Sequence, residues 1–421
     1  MSKLIKNEQN INSRIPLVNR NNKNEQIIAC IMDEWFVFNQ SFISLDRSET
    51  KYQLVATISD NHLHLSMTRI VFNYEEGRST GFKEPAEKVI TEMPGKGMPT
   101  TLSLAFVGDI MPGTTFPEKR LPENDGKNLF DDVKGILANA DLAAGNMEGA
   151  LADTGTTHKK PGKYCYAFKV PTRYGKLLAD AGFDFMNMAN NHARDFGING
   201  IISTEKTLKE NGIAYAGIKG RQEVTVVEKN GVRYGFCSFG QDSYTPRHLD
   251  LETVKRNINS LKGKADIIIV TFHGGAEGTK YRHLPDGPET FLGENRGDLR
   301  RFAHFCIDNG ADVIYGHGPH VVRAMELYKG HFIAYSLGNF CTPYGINIAG
   351  VSGYAPVLQL TINSTDGTFV KGKINSFIQQ RGRGPRLDKQ NIVAKEIQSL
   401  TKADFTDPKI TISDDGTITK K

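Results

Sequence analysis

An α/β fold, with helices on both faces of buried strands, is predicted by three features of the chain. Continuous apolar runs such as Leu104-Ala105-Phe106-Val107 and Ile267-Ile268-Ile269-Val270 read as strands covered on both sides. Stretches with apolar residues at helical spacing alternate with them. Side chains that ligate metals sit just past several of these runs, mostly beside Gly. In an α/β fold, rigid strands deliver ligands from separate loops to one edge of the sheet in this way.

Taken in order, residues 1–26 are polar and aperiodic and predict a disordered tail. Residues 27–75 hold short strand-like runs such as Trp35-Phe36-Val37-Phe38, separated by Asp-Arg-Ser and Ser-Asp-Asn turns, and predict a small β-rich segment. This segment is a candidate binding module for another protein. A Gly-, Pro-, Lys- and Glu-rich linker follows at 76–101. The main domain is expected over 102–388. Within it, helices are predicted at 128–140, 174–181, 198–211 (stopped by Gly212) and 297–309 (stopped by Gly310). Strands are predicted at 183–188, 232–239, 266–272, 311–315, 331–336 and 357–362. Residues 389–421 predict a C-terminal tail with a short helix and polar turns.

Composition narrows the class. Hydrophobic residues at 39% and charged residues at 24% describe a globular chain. The net charge of +5 is spread thinly, with no basic stripe interleaved with aromatics, so nucleic acid is not an expected partner. The five cysteines are dispersed and form no C-x-x-C pair, which suits reduced, buried thiols. No signal peptide or apolar span is visible, so the expected location is cytoplasmic or peripheral, without a transmembrane segment.

Five segments carry the candidate chemistry: F-V-G-D-I-M with Asp109, G-N-M-E-G with Asn146 and Glu148, M-A-N-N-H with Asn190, Asn191 and His192, T-F-H-G-G-A-E with His273 and Glu277, and Y-G-H-G-P-H with His317 and His320. Two imidazoles in one glycine-bounded turn make poor core structure and good ligands. Mixed nitrogen and oxygen donors suit Zn, Mn or Fe better than Ca or Mg. In the N-N-H segment the amide oxygen can bind metal while His192 protonates a leaving group, with Asp195 fixing its tautomer. Arg323 lies close to the H-G-P-H turn. Asn339 reads either as a substrate contact or as a turn locked by its own side chain. Arg381, Arg383 and Arg386 read either as anion contacts or as a solvated basic loop.

The stretch from Leu102 to about Arg386 resembles the CapA family of poly-γ-glutamate capsule biosynthesis proteins, within the calcineurin-like metallophosphatase superfamily. The resemblance rests on G-D-I-M (108–111), N-M-E (146–148), N-N-H-x-x-D-F-G (190–197), F-H-G-G-x-E (272–277) and G-A-D-V-I-Y-G-H-G-P-H-V-V (310–322). It implies a four-layer α/β/β/α sandwich holding one or two divalent ions (Mn, Fe or Zn) on Asp109, Glu148, Asn191, His273, His317 and His320. His192 and Asp195 are then the catalytic pair. Asn146, Asn190, Glu277, Arg323 and Asn339 are candidate substrate contacts. The implied function is metal-dependent hydrolysis of a phosphoester or related anionic substrate in capsule synthesis; the alternative is a non-hydrolytic part in making or exporting poly-γ-glutamate. Expected partners are an anionic small molecule or polymer and capsule-synthesis proteins. The chain departs from ordinary metallophosphatases at Met111, where D-x-H has histidine, and in the wider H-G-P-H turn.

Overall fold

The computed structural model describes residues 100–157, 159 and 166–421 with their side chains; within residues 1–99 it describes strands alone. Two units are distinct, Met1–Gly97 and Met98–Lys421.

In the first unit Ser2–Ile5 pairs with Ser13–Pro16 and Glu25–Ile31 with Glu34–Gln40. Thr50–Ser59, His62–Glu75 and Arg78–Lys83 form an antiparallel three-stranded sheet. Strands therefore reach into both the expected tail and the expected linker. Segments such as S-R-I-P and R-S-T-G-F-K are too short and polar to announce themselves by alternation.

The second unit begins with β1 (Thr101–Ile110), β2 (Leu142–Met147), β3 (Phe185–Asn187) and β4 (Ala214–Ala216). The chain then crosses to β5 (Val224–Lys229), β6 (Val232–Phe239), β7 (Ile267–His273), β8 (Val313–His317), β9 (Met325–Tyr328) and β10 (His331–Ala334). It returns as β11 (Asn339–Cys341), β12 (Val357–Asn363), β13 (Phe369–Asn375), β14 (Ile410–Ile412) and β15 (Thr417–Lys420). One sheet has the order β4-β3-β2-β1-β12-β13-β15-β14, with β11 also paired to β1; the other is β5-β6-β7-β8-β10-β9. β1 to β4 run parallel, as do β6, β7, β8 and β10.

The sheets meet face to face. Phe106 of β1 stacks on Tyr315 of β8 with ring centroids 4.4 Å apart, and Phe185 of β3 stacks on Phe236 of β6 at 3.8 Å. Residues one step along β1, Ala105 and Val107, point the other way, towards Leu137, Leu178, Ile201 and Leu208. Those four belong to α1 (Lys134–Ala138), α2 (Tyr174–Ala181) and α3 (Gly197–Glu210). The second sheet is covered by α4 (Leu251–Leu261) and α5 (Leu299–Asp308), each capped by an aspartate, Asp250 or Asp298, that accepts a backbone N–H of the first turn. Phe302 of α5 meets Phe239 and Phe272 edge-on. The result is the four-layer α/β/β/α sandwich.

Two expectations fail here for physical reasons. Only Lys134–Ala138 of the predicted 128–140 helix is helical, because the Asn128 and Leu129 carbonyls accept hydrogen bonds from the Arg386 guanidinium (2.8 and 3.3 Å). Arg386, half-buried, thus spends both terminal nitrogens on backbone carbonyls of the chain itself. Residues 389–421 are no tail. α6 (Ile392–Asp404) buries Val393, Ala394, Ile397 and Leu400 at helical spacing, and β14 and β15 complete the larger sheet.

Candidate metal centre

The parallel strands of both sheets end on the candidate ligands. Asp109 and Asn146 are register partners near the ends of β1 and β2, past an irregularity in the pairing that re-aims Asp109. His273 and His317 are register partners at the ends of β7 and β8, and both are wholly buried. Glu148 follows β2, and the Asn190-Asn191-His192 turn follows β3.

Close loop approach requires glycine at two places. A Cβ on Gly108 would lie 1.9 Å from the Gly338 carbonyl oxygen, so β1 and β11 could not meet. Gly318 takes φ +114°, and a Cβ there would fall 2.6 Å from the Gly274 oxygen. The two histidine loops are joined directly by Gly274 N–H to the His317 carbonyl (3.0 Å) and Gly278 N–H to the Pro319 carbonyl (2.9 Å).

Asp109, Glu148 and His320 each offer one ligand atom, and these atoms all lie within 4.8 Å of one another. His320 Nδ1 is 3.1 Å from Asp109 Oδ2, and its Nε2 is 3.7 Å from Glu148 Oε1. His273 Nε2 is 3.4 Å from the same Glu148 oxygen. His317 Nδ1 stands 3.2 Å from Asp109 Oδ1 without the alignment of a hydrogen bond. Glu148 Oε2, Asn191 Oδ1, His273 Nδ1 and both His317 nitrogens are buried with no hydrogen-bond partner. Each such atom costs about 1–3 kcal/mol when unsatisfied. Two buried carboxylates and three imidazoles, two of which carry unpaired ring nitrogens, form a donor set that a divalent cation fits; the Asn191 amide oxygen, on the turn after β3, is also buried without a partner.

Electrostatics agree with that fit. Burial pushes the Glu148 carboxyl up to about 7, and the neighbouring Asp109 charge adds to it. Burial also opposes ionisation of Asp109, but His317 and His320 beside it outweigh this and hold it well below the usual range. Burial works against a charged His320, yet Glu148 and Asp109 lift it to about 10. His273 is pushed down to about 4 by burial.

His320 adopts φ 57°, a left-handed conformation that non-glycine residues rarely hold without support. Asn339 supplies that support. Its Nδ2 donates to the His320 and Ser352 carbonyls (3.1 and 3.0 Å), and its Oδ1 accepts from His320 Nδ1 at 3.0 Å.

His192 Nδ1 is 2.8 Å from Asp195 Oδ2, which also accepts the Phe168 N–H at 2.8 Å; Lys159 pairs with the other Asp195 oxygen. Phe168 packs on the imidazole at 4.4 Å. With Nδ1 donating to Asp195, the Nε2 edge is the one left for chemistry.

Four of the five candidate substrate contacts have their polar atoms engaged within the protein. Asn146 donates to Asp109 (2.8 Å) and accepts from Asn187 and Asn190 (2.9 Å each). Asn190 also donates to the Met147 carbonyl (2.9 Å) and accepts the His192 N–H (3.1 Å). Asn339 holds the His320 backbone and ring. Arg323 is fully buried, with both terminal nitrogens on Glu289 at 2.7 Å, so it cannot reach a substrate. Those four assignments are corrected: buried and hydrogen-bonded inside the fold, the side chains support neighbouring residues. Glu277 remains partly exposed beside the histidines, held by Arg296 at 2.7 Å.

Sequence reasoning missed Asn187, Lys159, Glu289 and Arg296. Asn187 precedes the N-N-H turn by few residues and was visible there. Glu289 and Arg296 lie on an irregular hairpin with no periodicity to mark them.

Residues 103–344 match the family described as bacterial capsule synthesis protein PGA_cap, and residues 1–73 match a domain of unknown function with a TBP-like fold. The PGA biosynthesis protein CapA of Bacillus subtilis (strain 168) is 32% identical over 259 residues, covering 58% of this chain and 64% of the relative's length. A hypothetical protein of Thermus thermophilus superposes with TM-score 0.41 and 18% identity, over 66% of this chain and 99% of that one. A putative 5'-nucleotidase of Staphylococcus aureus gives TM-score 0.37 and 14% identity, over 72% and 58% of the two chains. With the greater part of its length matching that description, the chain belongs to the bacterial capsule synthesis protein family PGA_cap.

Proposed function

We propose that this protein is a divalent-metal-dependent hydrolase of a phosphoester or related anionic bond, acting in the synthesis of a capsule polymer. One observation carries the reading: strand ends from two sheets bring Asp109, Glu148, His273, His317 and His320 together with buried atoms left unpaired. Those residues, with Asn191, would hold the ion, which is Mn, Fe or Zn by donor type. A bound divalent ion supplies Lewis acidity and brings water ionisation towards neutral pH. The protein's own groups do the rest. Asp195 accepts from His192 Nδ1–H and would steady the imidazolium, whose Nε2–H proton would pass to the departing oxygen. Glu277, on the partly open side, is available to contact substrate.

Loading with Mn, Fe or Zn is expected to give turnover of an aryl phosphate, and His317→Ala is expected to abolish it. Absence of turnover with all three metals would count against hydrolysis. The Bacillus subtilis relative, a PGA biosynthesis protein by name, favours a second reading, in which the site serves polymer assembly without hydrolysis. Polyglutamate binding retained in inactive His317→Ala would support that reading, and lack of affinity for polyglutamate would dismiss it.

Proton accounting gives a further expectation. Burial favours the protonated form of Glu148, and the Glu148 and Asp109 carboxylates favour the protonated form of His320, so ligation would displace protons from both. Affinity should therefore rise with pH, most steeply in the acidic range where both groups carry a proton. Calorimetric titration in buffers of different ionisation enthalpy would count the released protons. A pH-independent affinity would refute this assignment.

A further inference from the structure

Glu289 and Arg323 form a buried ion pair that touches both histidine loops while ligating nothing itself. Arg323 lies three residues after His320, and Ala276 lies three residues after His273. The Glu289 carboxylate accepts Arg323 Nη1 and Nη2 at 2.7 Å each, and the same Oε2 accepts the Ala276 N–H at 3.0 Å. Arg323 returns the contact by donating Nη2 to the Ala276 carbonyl (3.3 Å), and its Nε reaches the Tyr281 carbonyl (2.9 Å). Glu289 sits on a hairpin, Glu289–Phe291 with Glu294–Gly297. From that hairpin Arg296 also binds the His273 loop, through its carbonyl to Gly275 N–H (3.0 Å) and its Nη1 to Glu277 (2.7 Å).

A buried ion pair is a weak source of stability, because desolvating two charges offsets their attraction. Its value here is geometric. It joins the backbone after one ligand histidine to the backbone after another, and His320 already carries a strained φ that needs fixing from several sides. We infer that Glu289 and Arg323 are positioning residues that set the spacing of His273 and His320 for the ion. This rests on the metal reading of the site.

Cobalt(II) is the probe, read by affinity and by visible d–d absorption, with Tm measured on the same samples. Glu289→Gln and Arg323→Met alone should lower both Tm and affinity, since each leaves a buried charge unpaired. The double variant Glu289→Gln/Arg323→Met should recover most of the Tm and still bind cobalt about 10–100-fold more weakly, with a shifted spectrum. Glu289→Asp keeps the charge but shortens the reach. It should fold and bind about tenfold more weakly, so the inference stays testable if the double variant folds poorly. Wild-type affinity and spectrum in the double variant or in Glu289→Asp would overturn the inference alone. Wild-type protein that takes up no cobalt would overturn the metal reading and this inference with it.

Discussion

Asp109→Asn protein is expected to lose metal affinity by about 100-fold or more and to show no phosphoesterase turnover above background. The carboxylate faces three groups at once: His320 at 3.1 Å, His317 at 3.2 Å and the donating amide of Asn146 at 2.8 Å. An asparagine has a single acceptor oxygen, so its own NH2 must face either Asn146 or an imidazole. The charge that would offset a divalent ion is lost as well. If Asp109 ligates the ion as proposed, its loss should exceed the ~10–100-fold cost usual for an outer contact. Metal titration of the purified variant checks this, and affinity within a few-fold of wild type would exclude Asp109 as a ligand.

His192→Ala should lower kcat by ~10²–10⁴ while metal content stays at the wild-type level. The imidazole is oriented by Asp195 and covered by Phe168, so its Nδ1 is taken by a carboxylate outside the proposed ligand set. A proton donor matters most when the leaving oxygen is basic. The loss should therefore be large for alkyl phosphates and small for p-nitrophenyl phosphate. Asp195→Asn should follow the same pattern to a lesser degree, because it disturbs the tautomer without removing the ring. An equal loss across leaving groups would assign His192 to binding or to folding.

The placement of the candidate ligands was legible because metal-liking side chains just past strand ends leave local marks. Asp109 after F-V-G, the N-N-H turn and the H-G-P-H turn each join an apolar strand to residues that a packed core does not use. The continuous runs of β1 and β7 likewise disclosed buried strands. Roles within the site were less legible, since they depend on partners distant in sequence. Asn146 and Asn190 look like substrate contacts until their amides are found closed on Asp109, Met147 and one another. Arg323 looks like an anion clamp until Glu289, on a hairpin without periodicity, is found against it. The same blindness hid the truncation of the 128–140 helix by Arg386, more than 250 residues away in the chain. By contrast, α6 was readable: Val393, Ile397 and Leu400 recur at helical spacing. Polar turns around that stretch concealed its place in the core.

Anomalous diffraction at the absorption edge of the loaded metal would locate the ion among the candidate ligands. A peak is expected within ~2.0–2.2 Å of side-chain atoms of Asp109, Glu148 and His320, with His273 or His317 completing the shell. Saturating Mn, Fe or Zn that leaves no peak there, or places one elsewhere in the protein, would contradict the metal reading of the site.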